Sequence, residues 1–250
     1  MDIFGGAGVN RSDIHQYQNA KIDILVGTDK HHVNQDLELI FGEKSYSLNV
    51  GANYSINQKH TIGTRYDYNS YLTSEDGHIT CSNNHYLNGA NDYNFSSYAA
   101  GYSKHYSHYV NAYYHGDLSD KTEIHIDADY MSGGSTTDQF THTINLLTKE
   151  ENQVNSESSN SYCLYTGKGW ISHKFDFGKL TLGSEASYTN NSQEYKMLND
   201  EIAKDLPSNS SQSTQSLAAA FLTYDKSWKK VFFPSRFALR IHRLCILLYE

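Results

Sequence analysis

The sequence predicts an all-β fold of antiparallel, up-and-down strands, about nine or ten in number, with no helix. Three observations predict it. Apolar and polar residues alternate over long runs, the runs are joined in pairs by tight turns, and the pairs are separated by stretches rich in Ser, Asn, Thr and Gly.

Taken in chain order, the first candidates are the short runs 20–26 and 36–41. The segment "SYSLNVGANYSIN" at 45–57 is cleaner: Tyr46, Leu48, Val50, Ala52, Tyr54 and Ile56 alternate with Ser, Asn and Gly. Successive side chains of a strand point to opposite faces, so this stretch has one apolar side and one wet side. A turn at 57–60 leads into "HTIGTRYDYNSYL", with Ile62, Tyr66 and Tyr68 on one parity and Arg65, Asp67 and Asn69 on the other. The run 105–116 follows and passes through the turn-like "GDLSD" into 121–131, where Ile124, Ile126, Ala128 and Tyr130 oppose Glu123, His125, Asp127 and Asp129. Residues 162–177 turn at Gly178 into 179–190, where Leu180, Leu182, Ala186 and Tyr188 oppose Lys179, Glu185 and Thr189. The run 216–228 completes the set.

The connections carry further information. Tight turns near 57–60, 116–120 and 177–179 alternate with polar stretches near 73–103, 132–160 and 191–215, which read as long loops. Short turns at one end and long loops at the other describe the wall of a transmembrane β-barrel. Strand length agrees: a tilted spanning strand needs ~9–11 residues, where soluble strands centre on ~5–6. On alternation alone a soluble antiparallel β-domain fits as well, because its sheets also have one dry and one wet face.

Charge and composition exclude several function classes. A net charge of −8 argues against a nucleic-acid partner, since phosphate binding needs clustered Lys and Arg. No window approaches the ~18 consecutive apolar residues of a membrane helix, which leaves barrel strands untouched. Tyrosine is abundant, 21 residues against 10 Phe and 2 Trp, and its half-polar ring suits a membrane–water boundary. Tyr46, Tyr54, Tyr66, Tyr68, Tyr114, Tyr130 and Tyr188 fall where an interfacial girdle would. Cys81, Cys163 and Cys245 form neither a CxxC pair nor a disulfide framework. Thirteen histidines invite a metal reading. However, His105 and His108 project to opposite faces, His105 and His115 share a face but lie some 30 Å apart, and His31–His32 reads as a loop pair. "GGAG" at 5–8 lacks the dinucleotide spacing and no GxSxG elbow is present, so neither enzyme activity nor a cofactor nor a metal is expected.

Three segments resemble the outer-membrane β-barrel family related to TonB-dependent receptors: "YSLNVGANYSINQKHTIGTRYDYN" (46–69), "VNAYYHGDLSDKTEIHIDADYM" (110–131) and "ISHKFDFGKLTLGSEASY" (171–188). "AAFLTYDKSWKK" (219–230) is similar in style, and Asp129–Tyr130 matches the family's Asp before an aromatic near the end of a return strand. The resemblance implies a partial barrel domain over 1–250 at the outer membrane of a Gram-negative bacterium, with a role in ligand uptake or surface binding. It implies outer-membrane lipid as partner, with TonB and a plug domain in a full-length relative. Such relatives begin with a signal peptide, a small β-sandwich and a plug; "MDIFGGAGVNRSD" resembles none of these, so export requires a signal peptide missing from the sequence as written. "VFFPS" (231–235) resembles the family's phrase before its last strands, whereas 236–250 breaks the alternation and reads as an atypical tail, an abrupt end or a shifted frame.

Together these readings place Leu48, Val50, Tyr54, Ile56, Ile124, Ile126, Tyr130, Leu180, Leu182 and Tyr188 toward lipid. Arg65, Asp67, Asp127, Asp129 and Glu185 are placed toward the lumen. The competing expectation is a soluble or secreted β-sandwich or barrel that binds carbohydrate or protein through aromatic-rich loops.

Overall fold

The computed structural model describes residues 1–73, 77–199 and 208–226, together with the strand backbone of 236–248. All its regular elements are β-strands: β1 Asp2–Val26, β2 Asp29–Asn57, β3 His60–Thr73, β4 His78–Leu87 and β5 Ala90–Ser119 come first. They are followed by β6 Thr122–Asn145, β7 Glu151–Phe175, β8 Gly178–Met197, β9 Asn209–Asp225 and β10 Arg236–Leu248. Every pairing is antiparallel, in the order β1-β2-β3-β5-β6-β7-β8-β9-β10. β4 lies in line with β3: β2 pairs β3 through residues 43–57 and β4 through 31–40, and β5 pairs the same two in succession. The ten elements therefore fill nine positions across one sheet, with β1 and β10 at its edges.

That sheet is a single layer. Strands contact only their hydrogen-bonded neighbours, and Met197 is the one buried apolar side chain among the described residues. The accessible surface is 17522 Å². A globular monomer of this mass would expose roughly 11,000 Å². A sandwich would bury one face under a second sheet, and no second sheet is present among the described residues.

Several expectations are corrected. The expected loops 73–103 and 132–160 are mostly strand among the described residues, with turns at 88–89 and 146–150, while 74–76 lie outside the described residues. In 191–215, β8 runs to Met197 and β9 starts at Asn209, while 200–207 lie outside the described residues. Ser, Asn and Thr do not end a strand whose neighbours continue the backbone ladder, since that ladder needs no apolar side chain. "GDLSD" likewise stays in β5 as far as Ser119. Runs 36–41 and 45–57 are one strand, β2, and 20–26 is the end of the 25-residue β1. Residues 236–248 of the presumed tail pair with β9 as β10, with a register shift between Ile241 and Leu244.

Register fixes the faces, because directly paired residues share one. One row reads Gly5–Val50–Tyr66–Val110–Tyr130–Tyr165–Tyr188–Ser216, and the adjacent row on the other face reads Phe4–Gly51–Arg65–Asn111–Asp129–Thr166–Ser187–Leu217. These define an apolar face and a polar face.

Candidate functional site on the polar face

The apolar face sets the frame for the polar one. Across the rows from Tyr46 to Ile56 it carries no Asp, Glu, Lys or Arg on any described strand. Eleven residues at ~3.3 Å each and a tilt of ~45° span ~26 Å. The expected outward residues Leu48, Val50, Tyr54, Ile124, Ile126, Tyr130, Leu180, Leu182 and Tyr188 all lie on this face. Ile56 sits at the register shift between Ser55 and Asn57. Leu48, Val50, Ile126, Ile171 and Leu182 are solvent-exposed here, so nothing within the chain covers them. Tyr46 and Tyr106 lie in the row at one margin of this zone. Tyr130 and Tyr188, expected with Tyr66 at an interface, instead cross its middle in the Val50–Val110 row, where the Tyr130, Tyr165 and Tyr188 rings meet at a tilt, 4.9 and 6.3 Å apart. Phe175, Phe177 and Tyr224 meet beyond the other margin, near the turn at 176–177, at 4.9 and 6.3 Å. Sequence reasoning missed Tyr165, whose place appears only when β7 is set in register between Tyr130 and Tyr188.

At the same rows the polar face holds Arg65, Asp67, Asp127, Asp129, Lys168 and Glu185. Asp129 is the hub. Its carboxylate accepts hydrogen bonds from Tyr109 Oη at 2.6 Å, Asn111 Nδ2 at 2.8 Å and Thr166 Oγ1 at 2.8 Å, joining β5, β6 and β7. Asn111 Nδ2 also lies 3.1 Å from Asp127 Oδ1. Arg65 clasps Asp67 with two nitrogens, Nε–Oδ2 at 2.7 Å and Nη2–Oδ1 at 2.9 Å. The bonds to Asp127 and Asp129 tie β5, β6 and β7 in register without a packed core, whereas the Arg65–Asp67 pair lies within β3. Asp127, Lys168 and Glu185 form one row, yet Lys168 and Glu185 make no ion pair or hydrogen bond with the described residues, leaving both for solvent or solute.

The polar face also contains glycines covered by the aromatic ring of their direct cross-strand partner: Gly51 by Phe4, Gly63 by Tyr113, Gly133 by Tyr162 and Gly183 by Phe221. A Cβ at Gly183 would stand 2.3 Å from the Phe221 ring. Bending a sheet toward one face crowds the side chains of that face, and glycine relieves the crowding.

A second cluster lies at the end bearing turns 58–59, 120–121 and 176–177. Lys59, Asp117, Lys121, Glu123, Ser172 and Lys179 line a cleft of about 220 Å³. Glu123 accepts from Ser172 Oγ at 2.8 Å and is paired with Lys179, while Lys59 bridges to Asp120 at 2.9 Å and Lys121 to Asp176 at 3.1 Å. His115, Asp117 and Glu123 each bring one ligand atom within 4.8 Å of the others, the set best arranged for a cation. Sequence spacing did not reveal it, because the set forms only when the β5–β6 hairpin places Asp117 opposite Glu123. Lys179 already neutralises Glu123, so a cation would have to displace an ammonium group.

The histidines otherwise act locally. His31 and His32, expected in a loop, lie in β2. His31 Nδ1 is 3.0 Å from His85 Nε2, His85 Nδ1 is 2.9 Å from Asp92 Oδ2, and His32 Nδ1 is 2.6 Å from Asp23. His105 stacks on Tyr71 on the polar face, while His108 Nδ1 lies 2.9 Å from Tyr66 Oη on the apolar face. Cys81 and Cys163 are free thiols.

Farther from these turns the two faces exchange character on β2. Val33, Leu37, Leu39 and Phe41 continue the polar face, while Asp36, Glu38 and Lys44 continue the apolar one, with Asn19, Tyr17 and Arg11 of β1 opposite them. The exchange falls within "FGEKSY" at 41–46. Compared with the known protein families and with curated proteins, this chain matches neither a family model nor a curated sequence.

Proposed function

We propose that this chain forms part of the wall of an outer-membrane β-barrel of the TonB-dependent-receptor type. Its apolar face meets lipid and its polar face lines a water-filled interior, serving ligand uptake or surface binding. The observation that carries this reading is the uncharged zone, ~26 Å deep, close to the ~25 Å outward band of such barrels. A charge in that zone costs ~2–4 kcal/mol at mid-depth in lipid but little in water, so a water-exposed sheet has no reason to exclude one from every strand. Three further features support it. Tyr46 and Tyr106 stand at one margin of the zone and Phe175, Phe177 and Tyr224 at the other, the glycines that ease bending lie on the polar face, and β2 exchanges its faces just beyond the zone. The outward side there becomes wet above the membrane, and the inward side packs.

The strands run well past the zone. β5 has 30 residues and β2 has 29. The surplus would stand above the membrane, with Ser- and Asn-rich hairpins such as the ~290 Å³ cleft formed by Ser135, Asn160, Gln193 and Tyr195 offered to solutes. In a full-length relative, TonB acting through a plug would drive uptake. The test is folding with phosphatidylcholine vesicles, read by flotation with the vesicles and by heat-modifiable migration in gels. The expected result is a vesicle-bound, heat-modifiable form. A chain that folds as a monomer in buffer without detergent refutes the reading.

A further inference from the structure

Directly above the uncharged zone, the apolar face carries one row in which cations gather. Arg11, Lys44 and Leu72 are consecutive cross-strand partners on β1, β2 and β3, and Leu72 pairs in turn with Lys104 of β5. With strands ~4.8 Å apart, Lys44 lies ~5 Å from Arg11 and ~10 Å from Lys104, measured along the backbone. Both lysines are exposed, and neither makes an ion pair with a described residue. Lys104 lies over the Tyr102 ring at 5.1 Å, and Arg11 is shared with Asp13 at 3.4 Å. One row nearer the membrane zone stand Tyr46 and Tyr106, 39% and 46% exposed. The β6–β8 sector at this level is different: Asp138, Glu157 and Glu194 supply negative charge, and Lys196 is held by Glu194 at 3.0 Å.

We infer that Lys44 and Lys104, assisted by Arg11, bind the phosphate groups of an anionic membrane lipid whose acyl chains lie against the apolar face below. The site rests on the membrane-wall reading. Charge complementarity and position select the occupant. An anion held here is placed at headgroup height, with tyrosine hydroxyls beside it and alkyl-compatible surface beneath, which a free phosphate would not use. The acidic β6–β8 sector repels the same lipid, so binding is confined to one side of the wall.

The experiment compares the full chain inserted into vesicles of phosphatidylcholine alone and of phosphatidylcholine with one fifth phosphatidylglycerol. Lipid retained by the protein after mild detergent extraction is counted by native mass spectrometry. Wild type should retain phosphatidylglycerol preferentially, and Lys44→Gln and Lys104→Gln should each reduce that preference about five-fold. Lys196→Gln removes the same charge in the acidic sector and should leave the preference intact. Inorganic phosphate in large excess over the vesicle anion should not displace the lipid, whereas displacement identifies a free-anion site and overturns the proposal. An equal effect of all three substitutions overturns it too, as net charge alone would then explain retention. Insertion into pure phosphatidylcholine is scored separately. A chain that inserts but shows no lipid preference refutes this site alone, and a chain that fails to insert refutes the wall reading beneath it.

Discussion

Val110 offers the most demanding test of which face meets lipid. It lies six residues from Lys104, the first charge above the zone on β5, and six from Gly116 at its lower margin. At ~3.3 Å per residue and ~45° tilt, each separation is ~14 Å of depth, so Val110 sits at the middle of the uncharged zone, which is the bilayer midplane on the proposed reading. Val110→Arg should therefore incur the full ~2–4 kcal/mol. Ile126 lies one row, ~5 Å, above the lower margin, and Ile126→Arg should cost about 1–2 kcal/mol, since the penalty falls toward ~0–1 kcal/mol at the interface. Ser187 lies on the polar face level with Val110, and Ser187→Arg should shift stability by less than about 1 kcal/mol. Asp127→Asn keeps an acceptor for Asn111 and should be equally mild. The assay is urea-driven unfolding in lipid vesicles, followed by tryptophan fluorescence. Equal tolerance at 110 and 187, or a larger cost at 187, would refute the assignment of faces.

Other perturbations probe the network, the glycines and the rim. Asp129→Ala strips Tyr109, Asn111 and Thr166 of their shared acceptor and should cost about 2 kcal/mol, with Asp129→Asn recovering part of it in the same unfolding assay. Gly133→Ala would bring a Cβ within 2.6 Å of both the Tyr106 carbonyl oxygen and the Tyr162 hydroxyl, and should destabilise by about 1–3 kcal/mol. Gly167→Ala, with nothing within 4 Å, should be neutral or slightly stabilising. Glu38 lies beyond the uncharged zone, where the Tyr17 hydroxyl and then the His15 ring hold its carboxyl below the usual glutamate value. Its folded value is depressed, so its contribution to stability is present above the unfolded glutamate value and is lost as pH falls through the folded one. Tyr17→Phe should move the Glu38 titration upward in carbon-detected NMR, and an unmoved titration would refute the pairing.

The alternation of Tyr46–Ile56 and Ile124–Tyr130 was readable because each run keeps one parity from end to end. β2 was divided in the reading because its apolar parity changes at "FGEKSY", and a parity change looks like a strand boundary when neighbours are unknown. The continuation of β4–β7 through Ser/Asn-rich sequence was illegible for a different reason: backbone pairing sustains those strands, and composition does not record it. The same limit applies to the sites. The polar parity of Asp127, Asp129 and Glu185 was legible in each strand alone. The hub at Asp129, the tyrosine ladder through Tyr165 and the Arg11–Lys44–Lys104 row are cross-strand objects that exist only once register is known.

Because β3 and β4 share one position, nine positions alternate in direction and the two outermost strands, β1 and β10, ascend together. Rolling this sheet until its margins touch would create a parallel seam. A cylinder antiparallel throughout therefore calls for an odd number of additional staves, at least one of them descending. Another copy of the chain set beside it with the same polarity has only ascending margins to offer, so a seam between two copies would be parallel as well.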